Sequence, residues 1–539
     1  MLLMPALSLR PVALALALAA CAGLGTAPAA AQPAAPQAAR AAINPPSKNV
    51  AWLPAANDAD IERAFAQARR EGKPVLLYWG ATWCPPCNQL KATFFNRQDF
   101  AARSRSFVAV HVDGDRPGAQ KLGKRFQVSG YPTVVLFGPD GSEITRLPGE
   151  VDPEQMMTVL QLGLSGGRPV KAVLGDARAG KTLTSNEWRL LAFYSWETDE
   201  AQVVPRGELP TVLAQLATQV PASEGETATR LWLKALAASN DGKGLKPDAA
   251  ARERLARLLG DAALSRLHMD VLTNFTRPLV RAFGGDEDPA RAALVTTFDG
   301  SLQRLQGDTT LSRSDRLGTL IARVHLARLG QPAEAVQVQL PAPLLESVRT
   351  AVAREDREIT DGYERQAVIT AGAYLLGLAG LWSESDALLQ SNLARSHSSY
   401  YLMSQLGSNA RKLGRNEEAL RWYQQAWEKS QGPATRLQWG FSYLSATVDL
   451  APADAARIER TASTLIREAA ADRGAFEGRS LRSLQRMSTR LLSWNEGGRH
   501  AATLQRLQRQ LGAVCAKTDA ASGQKAACEA LLKPAPTKA

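Results

Sequence analysis

Cys84-Pro85-Pro86-Cys87 places two thiols close enough to exchange for one small-ring disulfide. The nucleophile in that chemistry is the thiolate, so the surroundings must favour charge on one of the two sulfurs. Val75-Leu76-Leu77-Tyr78-Trp79, just before the pair, is a continuous apolar run, as a buried central strand requires. Residues from the pair to about Asn96 read as a helix. Cys84 therefore stands at a helix start, where free N–H groups and the helix dipole favour the anion. Cys84 is expected to attack, and Cys87, one turn along, to resolve the mixed disulfide. Taken alone, a Cys-x-x-Cys also fits a structural disulfide or half of a metal site. Neither this pair nor Cys515 and Cys528 has the further Cys or His ligands of tetrahedral zinc, so no metal is expected.

The elements that position the pair follow from periodicity. Asn57-Asp58 is a helix-start signal ahead of Ile61, Ala64, Phe65 and Ala68, and Gly72-Lys73-Pro74 ends that helix. Phe107–Val112 is a second buried strand and residues 117–127 a helix. Thr133–Phe137 is a third strand, turning at Gly138-Pro139-Asp140-Gly141 into a fourth at 143–147, and Pro153–Leu164 closes the unit as a helix. The order α-β-α-β-α-β-β-α is that of an α/β layer sandwich.

On these residues, 56–165 resembles the thioredoxin fold, in particular exported thioredoxin-family reductase domains. Trp83-Cys84-x-x-Cys87 corresponds to the family's active-site motif, and Gly130-Tyr131-Pro132-Thr133 to its second signature. The resemblance implies a cis Pro132 facing the cysteines, with Trp83, Tyr131 and Pro132 meeting substrate. It also implies a Cys84–Cys87 disulfide as the redox centre, with no external cofactor. The family's buried Asp, six residues before the first Cys, is replaced here by Tyr78, and its usual Lys partner aligns with Ala109. Both charges are then missing together, and the proton donor for Cys87 is unassigned, with Glu71 and water as candidates. His111 reads as a packed core residue. Strong oxidants of this fold place a His between the cysteines. Pro85 and Pro86 supply no N–H, which leaves the thiolate less stabilised and favours a reductase or isomerase over an oxidase.

The 539 residues exceed one core, so two or more domains are expected. Net charge is +12, but the Arg residues are spread along Ala/Leu-rich helical segments without a compact basic run, which argues against a nucleic-acid partner. Residues 1–31 read as an export signal: Arg10 precedes a short apolar core at 11–20. Leu18-Ala19-Ala20-Cys21 resembles a lipobox, which would lipidate Cys21 and anchor the protein to a membrane. Ala29-Ala30-Ala31 resembles an ordinary cleavage site. Either route leads to the periplasm or cell envelope, where disulfides persist. Residues 32–55 read as a flexible linker and 166–184 as a second one. Residues 185–532 read as an all-helical, tetratricopeptide-like solenoid. Its best unit has Leu406-Gly407 on one helix, Leu413–Ala419 as the turn, and Tyr423 and Ala426 on the next; Leu381–Ala387 and Leu329–Ala335 echo the turn.

Gly175–Thr182 matches the P-loop pattern, but Thr184-Ser185-Asn186-Glu187 signals a helix that starts too late for a phosphate cradle, even with Val170–Leu174 as a strand before it. Cys515 and Cys528 are expected to form a structural disulfide. Two functions remain open. One is a protein disulfide reductase or isomerase, fed by an unidentified thiol donor, whose helical region binds clients carrying disulfides or thiols. The other is a non-enzymatic helical scaffold whose thioredoxin fold captures partners.

Overall fold

The computed structural model describes residues 47–533 apart from Ser129, 148–152, 197–198, 200–201, 241, 285–287 and 520–522. The export segment with Cys21, and residues 32–46 of the expected linker, lie outside the described residues.

Five strands form one sheet: β1 (Leu53–Ala55), β2 (Val75–Gly80), β3 (Val108–Asp113), β4 (Thr133–Phe137) and β5 (Glu143–Leu147), in the order β1-β3-β2-β4-β5. β1, β3 and β2 run parallel; β4 and β5 are antiparallel to their neighbours. Five helices belong to this module: α1 (Asp58–Glu71), α2 (Pro85–Thr93), α3 (Gln98–Arg103), α4 (Ala119–Arg125) and α5 (Pro153–Leu164). α1 starts where Asn57 accepts the amide of Asp60, and stops at Gly72 in the left-handed region. All six residues of β2 are buried, because both sheet faces are covered. Val75, Leu77 and Trp79 pack with Ile61, Phe65 and Leu122; Leu76 and Tyr78 enter a second core on the opposite face.

Three boundaries differ from expectation. Residues 47–55 are ordered and contribute β1: Trp52 packs edge-on against Phe95 at 5.2 Å and stacks on Phe100 at 6.4 Å, and that aromatic burial holds a segment read as linker. The helix expected to reach Asn96 stops at Thr93, because the adjacent Phe94 and Phe95 are both fully buried. The 166–184 stretch contains a helix, Val170–Arg178, with Val170, Val173, Leu174 and Ala177 buried along one stripe.

That stripe joins a single apolar core running from Leu76 and Tyr78 through Trp188 and Trp439 to Leu532. The described residues from Ser47 to Lys533 accordingly form one compact unit. The stretch expected as a linker at 166–184 thus carries the helix Val170–Arg178, buried in that shared core. A Gly-Gly-Arg-Pro stretch reads as linker locally, but the apolar stripe behind it buries against both sides.

Beyond residue 170 the described residues are helical, with one isolated bridge between Asn240 and Lys243. The hairpin Ser399–Lys412 and Asn416–Lys429 has the expected turn. A Cβ at Gly407 would lie 3.1 Å from the Tyr423 ring, so glycine is what permits the close approach. Leu329–Ala335 does not start a second helix. Residues 330–341 form a loop, pinned by Arg328 donating to the carbonyls of Pro332 and Ala333. The P-loop-like stretch is the end of the helix Val170–Arg178 followed by a turn. Lys181 pairs with Asp176 at 2.7 Å, and Thr184 opens the next helix with a reciprocal cap to Glu187. Val170–Leu174 is thus helix, not strand.

Cys515 and Cys528 are bonded and buried, stapling the helix Ala501–Cys515 to Gln524–Glu529. Cys515→Ser should cost roughly 2–3 kcal/mol, from the loop the bond closes. Urea unfolding of the oxidised protein checks this. Loss of redox turnover without loss of stability would instead make the pair part of an electron relay.

Candidate redox site

The end of β2 delivers the chain to Cys84, which caps α2 in an extended conformation. Cys84 and Cys87 form a disulfide with their Cα atoms 5.2 Å apart. Pro85 and Pro86 fill the first two helical positions, so the first amide available to the Cys84 sulfur is that of Cys87, which donates to it at 3.2 Å. Asn88 steadies the loop from behind: its side-chain amide donates to the carbonyls of Thr82 and Cys84, both at 2.8 Å. The peptide bond between Tyr131 and Pro132 is cis, as the resemblance implies.

The helical region covers this site. Cys84 is 2% exposed, Cys87 0% and Trp83 9%. The Trp83 indole N–H donates to Asp115 Oδ2 and to Thr435 Oγ1, both at 2.8 Å, and its ring stacks on Tyr401 at 5.7 Å. Thr435 in turn donates to Asp115 Oδ1 at 2.5 Å. Asp115 faces the start of the helix Pro433–Leu450, and only glycine at 432, with φ +83°, allows that approach. A Cβ there would lie 2.5 Å from the Asp115 Cβ. Arg479 lies 3.7 Å from Asp115 and covers the rings of Trp83 and Tyr131, at 4.6 and 5.1 Å. Burial raises the Asp115 carboxyl, while Arg479, Thr435 and Trp83 pull it down. Tyr131, expected to meet substrate, accepts a hydrogen bond from Gln120 at 2.9 Å and packs against Trp83.

The core beneath the site differs from expectation at two points. Tyr78 is opposite His111, not Ala109, and the two rings stack at 5.2 Å. Glu71 is at the far end of β2, paired with Lys73, and is no donor to Cys87. Nor are buried charges absent. Lys91, one turn beyond Cys87 on α2 and 4% exposed, is lowered to about 8 by burial. Asp113, at the end of β3, is raised to about 6 by burial and then by Asp115, with Lys91 pulling the other way.

His111 is in the core, as expected, at 5% exposure, and burial holds it neutral down to about 3. The unfolded imidazole takes up a proton near 6.5, so below that pH the unfolded state binds a proton the native state refuses. Stability should therefore fall as pH drops from about 6.5 towards 3, by up to ~1.4 kcal/mol per pH unit from this residue. His111→Phe, which preserves the stack, should flatten that dependence. Urea midpoints between pH 7 and 4 give the comparison.

Asp115, Thr435, Arg479, Tyr401 and Trp439 escape sequence reasoning. Asp113-Gly114-Asp115 after a buried strand is the one local signal; the other four are on helices that look generic. Among the described residues, no group of His, Cys, Asp or Glu could hold a metal, and no helix is long and apolar enough to cross a membrane.

Residues 61–163 match the thioredoxin-like domain family. The chain is 33% identical over 117 residues to thiol:disulfide interchange protein DsbD 2 of Pseudomonas aeruginosa, covering 21% of this chain and 20% of the relative. It is 31% identical over 118 residues to DsbD of Yersinia pestis, covering 21% and 20%. The chain thus spans about a fifth of the length of these curated relatives. It is also similar to the solution structure of a thioredoxin from Thermus thermophilus, at 26% identity, covering 21% of this chain and 85% of that one, with a TM-score of 0.19.

Proposed function

We propose that this protein is an exported thiol–disulfide oxidoreductase of the periplasm or cell envelope, acting as a protein disulfide reductase or isomerase. The observation that carries this reading is the Cys84–Cys87 disulfide at the start of α2 in a thioredoxin-like domain. The similarity to interchange proteins over the same residues supports it.

In the reducing direction the Cys84 thiolate attacks one sulfur of a client disulfide. The client S–S bond breaks, and its leaving thiolate takes a proton. Cys87 gives up its proton, attacks the Cys84 sulfur, frees the second client thiol and closes the Cys84–Cys87 disulfide. Two electrons pass to the client, and a dithiol donor restores the pair. No cofactor is required. The tetratricopeptide-like helices serve client binding, Tyr131 and Pro132 present backbone to the client, and Cys21 is either a lipid anchor or removed with the signal.

The burial of Cys84 under the helical region favours one competing reading, a scaffold that binds partners without turnover. Mixing the pre-reduced protein with insulin separates them. A reductase forms insulin thiols in proportion to the Cys84–Cys87 disulfide regained; a scaffold keeps its thiols.

A further inference from the structure

A cleft of ≈ 480 Å³ opens beside Pro85 and Pro86, the two residues between the cysteines. Its other wall comes from the helical region: Thr370 and Tyr374 on the helix Gly362–Leu378, Tyr401 and Ser404 on Ser399–Lys412, and Trp439 on Pro433–Leu450. The volume lies within the about 300–1,000 Å³ usual for ligand clefts. None of the lining residues is charged, although 22% of the chain is Asp, Glu, Lys or Arg. Tyr374, at 49% exposure, stands as a large apolar side chain at the surface beside it. Two polar atoms of its lining, Gln405 Oε1 and Trp439 Nε1, are buried without a hydrogen-bond partner.

We infer that this cleft is the substrate-selecting site, and that it takes an extended, uncharged peptide segment carrying a disulfide-bonded cysteine. The inference rests on the oxidoreductase reading above. Helices cover Trp83 and Arg479 covers Tyr131, so a folded client surface cannot lie flat on the redox face. The cleft borders the Pro85-Pro86 loop that joins the two cysteines. The hydroxyls of Ser404 and Ser408 on its wall suit the N–H and C=O of an extended backbone. Charged side chains would lose water there without gaining a partner, which excludes charged segments.

The test uses the pre-reduced full chain and short Ser/Ala/Gly peptides, each with one cysteine held as a mixed disulfide with mercaptoethanol. One peptide is neutral, one has Lys on both sides of the cysteine, and one has Glu. Cys84 thiolate attacks the mixed disulfide, one thiol leaves protonated, and Cys87 then displaces the other as the Cys84–Cys87 disulfide closes. The neutral peptide should react at least about tenfold faster than either charged one, a discrimination expected of a desolvated neutral site. Ser404→Asp should then raise the Lys peptide over the Glu peptide by about tenfold. Ser408→Asp, at an exposed lining position, gives a second variant should the first fold poorly. Equal rates for the three peptides, or folded Asp variants that leave the Lys-to-Glu ratio unchanged, would overturn the inference while leaving the redox reading intact. If no peptide reacts and dithiothreitol does not reduce the Cys84–Cys87 bond in the native protein, the oxidoreductase reading fails, and this one with it.

Discussion

Cys87→Ser should lose all turnover yet accumulate a covalent client adduct, whereas Cys84→Ser should lose both turnover and adduct. The asymmetry follows from the positions of the two sulfurs. Cys84 caps α2, and its sulfur already accepts an amide hydrogen bond from Cys87. A thiolate there keeps that donor and faces the positive end of the helix. Cys87 is inside the first turn with its amide donated to the Cys84 sulfur, so it is placed to attack Cys84 rather than the incoming disulfide. With serine at 87 the mixed disulfide on Cys84 has no neighbouring thiol to displace it, so it persists. Non-reducing electrophoresis after mixing with oxidised clients displays the adduct, and insulin reduction measures turnover. Capture by Cys84→Ser but not by Cys87→Ser would reverse the assigned roles.

Asp115→Ala is expected to destabilise the protein by about 3–5 kcal/mol, the range for leaving one partner of a buried ion pair uncompensated. Asp115 has a side-chain exposure of 12% and Arg479 of 11%. The carboxylate also accepts the Trp83 indole and the Thr435 hydroxyl; in the variant Thr435 loses its acceptor and Trp83 keeps only Thr435. Asp115→Asn keeps an oxygen for Trp83 while losing the charge opposite Arg479 and the acceptor of the Thr435 hydroxyl, so it should cost less than Asp115→Ala. Because these contacts join the sheet module to the helices, Asp115→Ala should also speed alkylation of pre-reduced Cys84 in the folded protein. Urea unfolding and iodoacetamide kinetics measure the two effects. A variant as stable as the parent, with Cys84 equally protected, would mean the Asp115 cluster does not hold the two parts together.

Much of the local architecture was legible in the residues. α1 between Asn57 and Gly72, the runs that became β2 and β4, the turn into β5 and the cap at Thr184 each depend on neighbours a few residues away. The position of the Cys pair at a strand-to-helix junction is local in the same sense. Misreadings arose where a short signal had two outcomes. The apolar residues after the Gly-Gly-Arg-Pro stretch read as linker or strand, and burial against two neighbours made them helix. The strand register that faces Tyr78 with His111 is likewise set by pairing between strands some thirty residues apart.

The environment of the redox site was decided only by tertiary structure. Trp83 and Thr435 are 352 positions apart, and Arg479 reaches Asp115 from a still later helix. An amphipathic helix announces that one face will be buried, but apolar burial has no direction and does not name the surface that buries it. The sequence alone therefore determined a thiol pair on a thioredoxin-like module followed by helices. Close packing and the pairing of buried polar groups determined that those helices close over the pair and leave an uncharged cleft beside it.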